Sequence, residues 1–144
     1  MNTLSQNSRV AIIQAGLEWN KTDIELEAGC TYDFSVVGTW MDASIECSAD
    51  GYPPPELKLW QKMILACFSP LRRVRSEKWF ALIGVIDQDM STAFLIGQEA
   101  KGIKVAHSGK LTCFANDVPF KYGNNSGAVT LTVTVTTPTQ QAIP

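Results

Sequence analysis

Lys110–Ala115, KLTCFA, and Ala128–Val135, AVTLTVTV, stand on either side of a polar stretch, Asn116–Gly127, NDVPFKYGNNSG. From Thr130 to Thr136, threonine alternates with leucine and valine, so one face of the segment is apolar and the other is not. That is the period of a β-strand. KLTCFA combines a β-branched and an aromatic residue and stops where Asn-Asp-x-Pro begins, so it too reads as a strand. NDVPFKYGNNSG is then a loop joining two strands.

The same signal recurs upstream. Val10–Gln14 is a short apolar strand candidate, and Thr22–Glu27, TDIELE, alternates strictly, which puts Asp23, Glu25 and Glu27 on one solvent face. Gly29 turns the chain into Thr31–Val37, TYDFSVV, which ends at Gly38-Thr39-Trp40. Trp79–Ile86, WFALIGVI, is a near-continuous apolar run and is expected to be a central strand buried on both faces. Asp87-Gln88-Asp89 reads as a turn, Ala93–Gly97 as the next strand, and His107-Ser108-Gly109 as the turn before Lys110. Asp50–Pro55, DGYPPP, is expected to be a turn without strand or helix capacity. One helical signal follows, Glu56–Phe68, with Leu57, Trp60, Ile64 and Phe68 on a single stripe between Pro55 and Pro70. Seven or eight short strands and one inserted short helix describe an all-β chain, an antiparallel β-sandwich. With no internal repeat and no linker, residues 1–137 are expected to form a single domain, and residues 138–144 a frayed tail.

At 144 residues, with 45% hydrophobic and 18% charged, the chain is long and apolar enough to bury its own core. A net charge of −2 gives no field that would attract nucleic acid or an anionic membrane. The cluster Leu71-Arg72-Arg73-Val74-Arg75, with Lys78 nearby, is expected to be a solvated loop. The N-terminus, MNTLSQNSRV, lacks the apolar core of a secretory signal, and the longest strongly apolar stretch, Met63–Phe68, is too short to span a bilayer. The expectation is a chain without membrane insertion that starts in the cytoplasm, any export taking a signal-independent route.

Cys30, Cys47, Cys67 and Cys113 form no C-x-x-C pair, and His107 is the single histidine, which argues against zinc and for buried free thiols, with a disulfide as the alternative. There is no G-x-S-x-G, phosphate loop or H-E-x-x-H. Asp87 and Asp89 are the carboxylate pair a glycosidase would need, but a D-x-D turn uses such side chains to close itself, and no enzyme is expected.

The loop remains. Asp117, Asn124 and Asn125 offer side-chain oxygens, and Pro119 and Gly123 keep backbone carbonyls out of regular ladders. Oxygens are hard donors suited to Ca²⁺, although the spacing is not that of an EF-hand. Equally, Asn and Asp close turns by bonding their own backbone. The residue types leave both readings open.

NDVPFKYGNNSG resembles the signature loop of the PA-IL-like family of small calcium-dependent, galactose-binding bacterial lectins, which has the form N-D-x-P-x-x-Y-G-N-N-S-G. Asn116, Asp117, Pro119, Tyr122, Gly123, Asn124, Asn125, Ser126 and Gly127 match it. Trp19–Ile24, Gly29, Phe34–Trp40, Ala81–Gly84, Phe94–Gly97 and Ser108–Leu111 are similar to other parts of the family, whereas Pro54–Lys78 is hard to align and reads as an insertion. The resemblance implies a jelly-roll sandwich of the galactose-binding-domain type. It implies Ca²⁺ held by the side chains of Asp117, Asn124 and Asn125, by the Lys121 carbonyl and by an oxygen near Asp42. It also implies a carbohydrate or glycoconjugate partner lying against Asp117, Val118, Asn124 and Asp42, with homo-oligomers or arrays compensating for weak single sites.

One departure bears on the sugar. The family has a sugar-contacting histidine and glutamine where this chain carries Tyr52-Pro53-Pro54-Pro55, so Tyr52 or Trp40 is left either to stack on a sugar or to pack in the fold. The competing expectation is a non-catalytic structural or protein-interaction module whose loop is tied by calcium or holds no metal.

Overall fold

The computed structural model describes residues 7–52 and 72–137. The expected helix over Glu56–Phe68, Cys67 and the tail from Pro138 lie outside them. Among the described residues the strands are β1 (Ser8–Gln14), β2 (Asn20–Leu26), β3 (Thr31–Val37), β4 (Trp40–Asp42), β5 (Ile45–Cys47), β6 (Asp50–Tyr52), β7 (Trp79–Ile86), β8 (Phe94–Leu95), β9 (Glu99–Lys104), β10 (Gly109–Ala115) and β11 (Asn125–Thr137). All pair antiparallel. One sheet runs β5-β4-β11-β3-β9 with β1 also on β11, and the other runs β2-β10-β7-β6 with β8 also on β7.

The alternation in β11 does what its period dictates. Val129, Leu131 and Val133 are buried between the sheets, while Thr130, Thr132 and Thr134 face away and stay half-exposed. Phe34 and Ile13 meet Leu82, Leu111 and Cys113 in the same core, and Trp40 packs edge-on against Phe80 at 5.6 Å across the two layers. Every residue of β7 is buried. Leu82 and Ile86 enter the main core, and Ile83 and Val85 join Phe114 in a second cluster against Trp19, Val74 and Ala93. Asp23, Glu25 and Glu27 are exposed as their alternation requires, and Cys30, Cys47 and Cys113 are buried free thiols.

Three expectations need correction. Asp50–Tyr52 is not a mere turn but strand β6, with Asp50 opposite Ala81 and Tyr52 opposite Trp79. Gly51 makes this possible: its φ is +80°, and a Cβ there would collide with the Trp79 carbonyl oxygen. The strand expected over Ala93–Gly97 is only Phe94–Leu95, because the Ile96 and Gly97 amides both turn to the Leu82 carbonyl. The basic cluster is solvated only in part: Arg75 and Lys78 are exposed, but Arg72 and Arg73 are half-buried with their guanidinium groups over the rings of Trp79 and Phe114.

Asn20 staples the sheets at one end. Its Oδ1 accepts from the Gln14 amide (2.8 Å), and its Nδ2 donates to the Gln14 carbonyl (3.0 Å) and to the Cys113 carbonyl (3.2 Å). Gln14 is in β1 and Cys113 in β10, so one buried amide joins the two layers. Asn20→Ala leaves those backbone groups unpaired and should cost about 2–4 kcal/mol, read as a lower urea midpoint at unchanged m.

Candidate functional site

Asn116 starts the loop by extending β10 one residue past its named end: its amide donates to the Ala81 carbonyl (2.9 Å) and its carbonyl accepts from the Phe80 amide (2.8 Å). Its side chain, fully buried, turns away from the loop. Oδ1 accepts from the Val74 amide (2.9 Å), and Nδ2 donates to the carbonyls of Val74 (2.8 Å), Lys78 (3.0 Å) and Glu77 (3.3 Å). Asn116 therefore ties down segment 74–78 and leaves the next residue to face the loop.

That residue is Asp117, 3% exposed. Oδ1 accepts from the Val118 amide (2.7 Å) and Oδ2 from Asn125 Nδ2 (3.0 Å). Burial pushes the carboxyl above its ordinary range, against a smaller downward pull from the bonds to Asn125 and Val118 and from the Lys121 charge. Val118 is buried in the main core. Pro119 then opens a 3-10 turn, Pro119–Asn124, at a position where its missing N–H costs nothing. Inside that turn the Lys121 amide donates to the Val118 carbonyl (2.9 Å), and the Tyr122 hydroxyl donates to the Ala115 carbonyl (2.6 Å). Burial takes the Tyr122 phenol up to about 12, although the Arg73 charge beside it pulls the other way.

β11 begins directly after the turn and returns the loop to the fold. Asn125, Ser126 and Gly127 lie opposite Asp42, Met41 and Trp40 of β4. Gly127 has φ +86°, and a Cβ there would sit 3.1 Å from Trp40 Cα, so the close approach of β4 needs glycine. Ala43, at the tip of the β4–β5 hairpin, has φ +55° and donates its amide to the Asn124 carbonyl (3.0 Å). A non-glycine residue held there carries strain of the kind that collects beside ligand sites.

Asp117 and Asn125 thus touch directly, Asp42 stands opposite Asn125, and Asn124 is held to the residue after Asp42. Lys121 lies in the connecting turn. The Asn124 amide group is exposed and has no hydrogen-bond partner among the described residues. Asn125 Nδ2 donates to both Asp117 and the Ala15 carbonyl (3.1 Å), while its Oδ1 is buried and unpaired. That orphaned acceptor beside a buried acid is what an oxygen-loving cation would relieve, so the donor set fits Ca²⁺. Among the described residues no group of three or more His, Cys, Asp or Glu gathers to hold a metal. The nearby Cys47 thiol is pushed up to about 12, first by burial and then by the Asp42 charge. Oxygen donors from amides and carbonyls, rather than thiolates, define the chemistry.

Two further residues stand elsewhere. Trp40 is fully buried and unavailable to a sugar face. The backbone of Tyr52 lies opposite Trp79 of β7. Asp89 closes its own turn, its Oδ1 accepting from the Ser91 amide, whereas Asp87 Oδ1 accepts from the Lys110 amide of β10 and ties the turn to that strand. Sequence reasoning missed the part played by Asn116 and Arg73. The signal was present as an arginine-rich segment in a chain rich in tryptophan and phenylalanine, but nothing local says which arginine finds which ring.

No protein-family model matches this chain, and a search of curated proteins finds no match. Among solved structures the chain is similar to one described as "EclA N-terminal domain; PllA-like lectin", with a TM-score of 0.68 and 18% identity over 92% of this chain and 100% of that one. The two share a β-sandwich fold.

The direction of the Asp117 shift sets a pH dependence for the metal-free protein. With a folded-state pKa raised above its ordinary 3.8, the carboxyl holds its proton more tightly folded than unfolded. Its contribution to stability is complete below the unfolded pKa and is lost as pH rises through the folded value. In EDTA, the unfolding free energy of Asp117→Asn should therefore gain on the wild type between about pH 4 and pH 7. A difference that stays flat, or moves the other way, contradicts the buried-acid assignment.

Proposed function

We propose that the protein is a calcium-dependent carbohydrate-binding protein, a lectin for galactose-type sugars. The ion would be held by side-chain oxygens of Asp117, Asn124 and Asn125, by the Lys121 carbonyl and by an oxygen near Asp42. The observation that carries this reading is the buried, unpaired Oδ1 of Asn125 next to the buried Asp117 carboxyl. The match of the loop to N-D-x-P-x-x-Y-G-N-N-S-G and the fold shared with a chain described as a PllA-like lectin support it.

When bound, Ca²⁺ supplies coordination positions beyond those filled by protein oxygens, which two adjacent sugar hydroxyls can take in place of water. The chain's own residues do the rest. On this reading Asp117 would accept from a sugar hydroxyl, a charge-assisted bond of the stronger kind. Asn124, exposed at the end of the turn, would add an amide with both donor and acceptor. The 3-10 turn and the β4–β5 hairpin tip hold these groups from two sides, so little ordering is needed on binding. Nothing in this arrangement activates a nucleophile; it recognises without turnover.

Two measurements test the reading. Adding Ca²⁺ at 100 times its Kd to metal-stripped protein should stabilise it by about 2.7 kcal/mol, and Asp117→Ala should abolish the accompanying rise in Tm. On a glycan array, galactosides should be retained in calcium and released by EDTA. Sugar binding that survives EDTA, or a melting shift that survives Asp117→Ala, sinks the assignment.

A further inference from the structure

Segment 72–78 lies outside the stretch that resembles the lectin loop, yet it grips that loop with an unusual device. The guanidinium of Arg73 sits 3.4 Å from the Phe114 ring centroid, 4.4 Å from that of Trp19 and 5.6 Å from that of Tyr122. Its Nη1 donates to the Glu18 carbonyl (2.6 Å) and to the Tyr122 hydroxyl (2.9 Å), and its backbone amide donates to the Asp117 carbonyl (3.2 Å). One residue therefore holds both ends of the loop's working part: Asp117 through the main chain, and the turn carrying Lys121 and Asn124 through Tyr122. The Tyr122 hydroxyl passes the connection on to the Ala115 carbonyl at the end of β10.

The chemistry demands arginine. A planar guanidinium can stack on Phe114 and still direct N–H groups sideways to a carbonyl and a hydroxyl; a lysine ammonium is a point charge that cannot do both. Tyr122 is buried, so its ring has one position, and that position determines where the backbone on either side of it runs.

We propose that Arg73 is a positioning residue for cation binding, acting through Tyr122 and the Asp117 backbone without touching the ion. This rests on the calcium reading above. It makes a prediction opposite to simple electrostatics. A positive charge near a cation site repels the cation, so if Arg73 acted only as a charge, its neutralisation would tighten calcium binding. If Arg73 acted only as packing, its loss would lower metal-free stability and leave affinity alone. Positioning predicts weaker binding, because groups that orient metal ligands typically carry roughly 10–100-fold in affinity.

The test is calorimetric titration of Ca²⁺ into metal-stripped full-length chain for the wild type, Arg73→Met, Arg73→Lys and Tyr122→Phe, with metal-free melting curves in parallel. Arg73→Met should raise the calcium Kd at least tenfold. Arg73→Lys should recover only part of the loss. Tyr122→Phe keeps the ring but removes the hydroxyl's bonds to Arg73 and Ala115, and should weaken binding in the same direction. If Arg73→Met does not fold, Tyr122→Phe carries the test alone. Wild-type binding with unchanged or tighter binding in the folded variants overturns the positioning role and leaves the calcium reading intact. A wild type that takes up no calcium overturns both.

Discussion

A carboxylate withdrawn from water has to be answered by something, and Asp117 is answered inside the protein by one backbone amide and one side-chain amide. Much of the surrounding structure exists to keep it there. β10 must run one residue past its end so that Asn116 points away and Asp117 points in. β11 must start at Asn125, immediately after the 3-10 turn, so that an amide arrives beside the acid. Gly127 must let β4 approach so that Asp42 stands across from that amide. Burial raises the carboxyl above its ordinary range, and the two hydrogen bonds and the Lys121 charge offset only part of that rise.

The two sheets divide the work. The one containing β11 and β4 supplies Asn125 and Asp42, and the one containing β10 and β7 supplies Asn116 and Asp117. The site therefore sits at an edge where both layers end, and its geometry depends on their relative position. The stapling Asn20 amide and the Trp40–Phe80 contact hold that position through buried, directional or shape-specific interactions. Such contacts resist gradual deformation, because close-packed interiors have few intermediate arrangements.

Trp40 is fully buried in β4, opposite Gly127 of β11. The Arg73 guanidinium lies over the rings of Trp19 and Phe114 and is tied through Tyr122 to the same loop.

The long strands could be read from the chain itself. The alternation in Thr22–Glu27, Thr31–Val37 and Thr130–Thr136 and the apolar run Trp79–Ile86 state which faces are buried, because a strand's side chains alternate whatever it pairs with. The loop's oxygen donors were legible as a set of residue types. Three-residue strands such as Trp40–Asp42 and Asp50–Tyr52 were not, since three positions carry no period and their conformation is imposed by the neighbour they bond to. Only the tertiary structure decided that Asn116 would be spent on segment 74–78, that Asn125 would keep a buried oxygen unpaired, and that Arg73 would leave solvent for a box of three rings. Each of these depends on groups tens of residues apart meeting at hydrogen-bond or stacking distance, and separation along the chain says nothing about that.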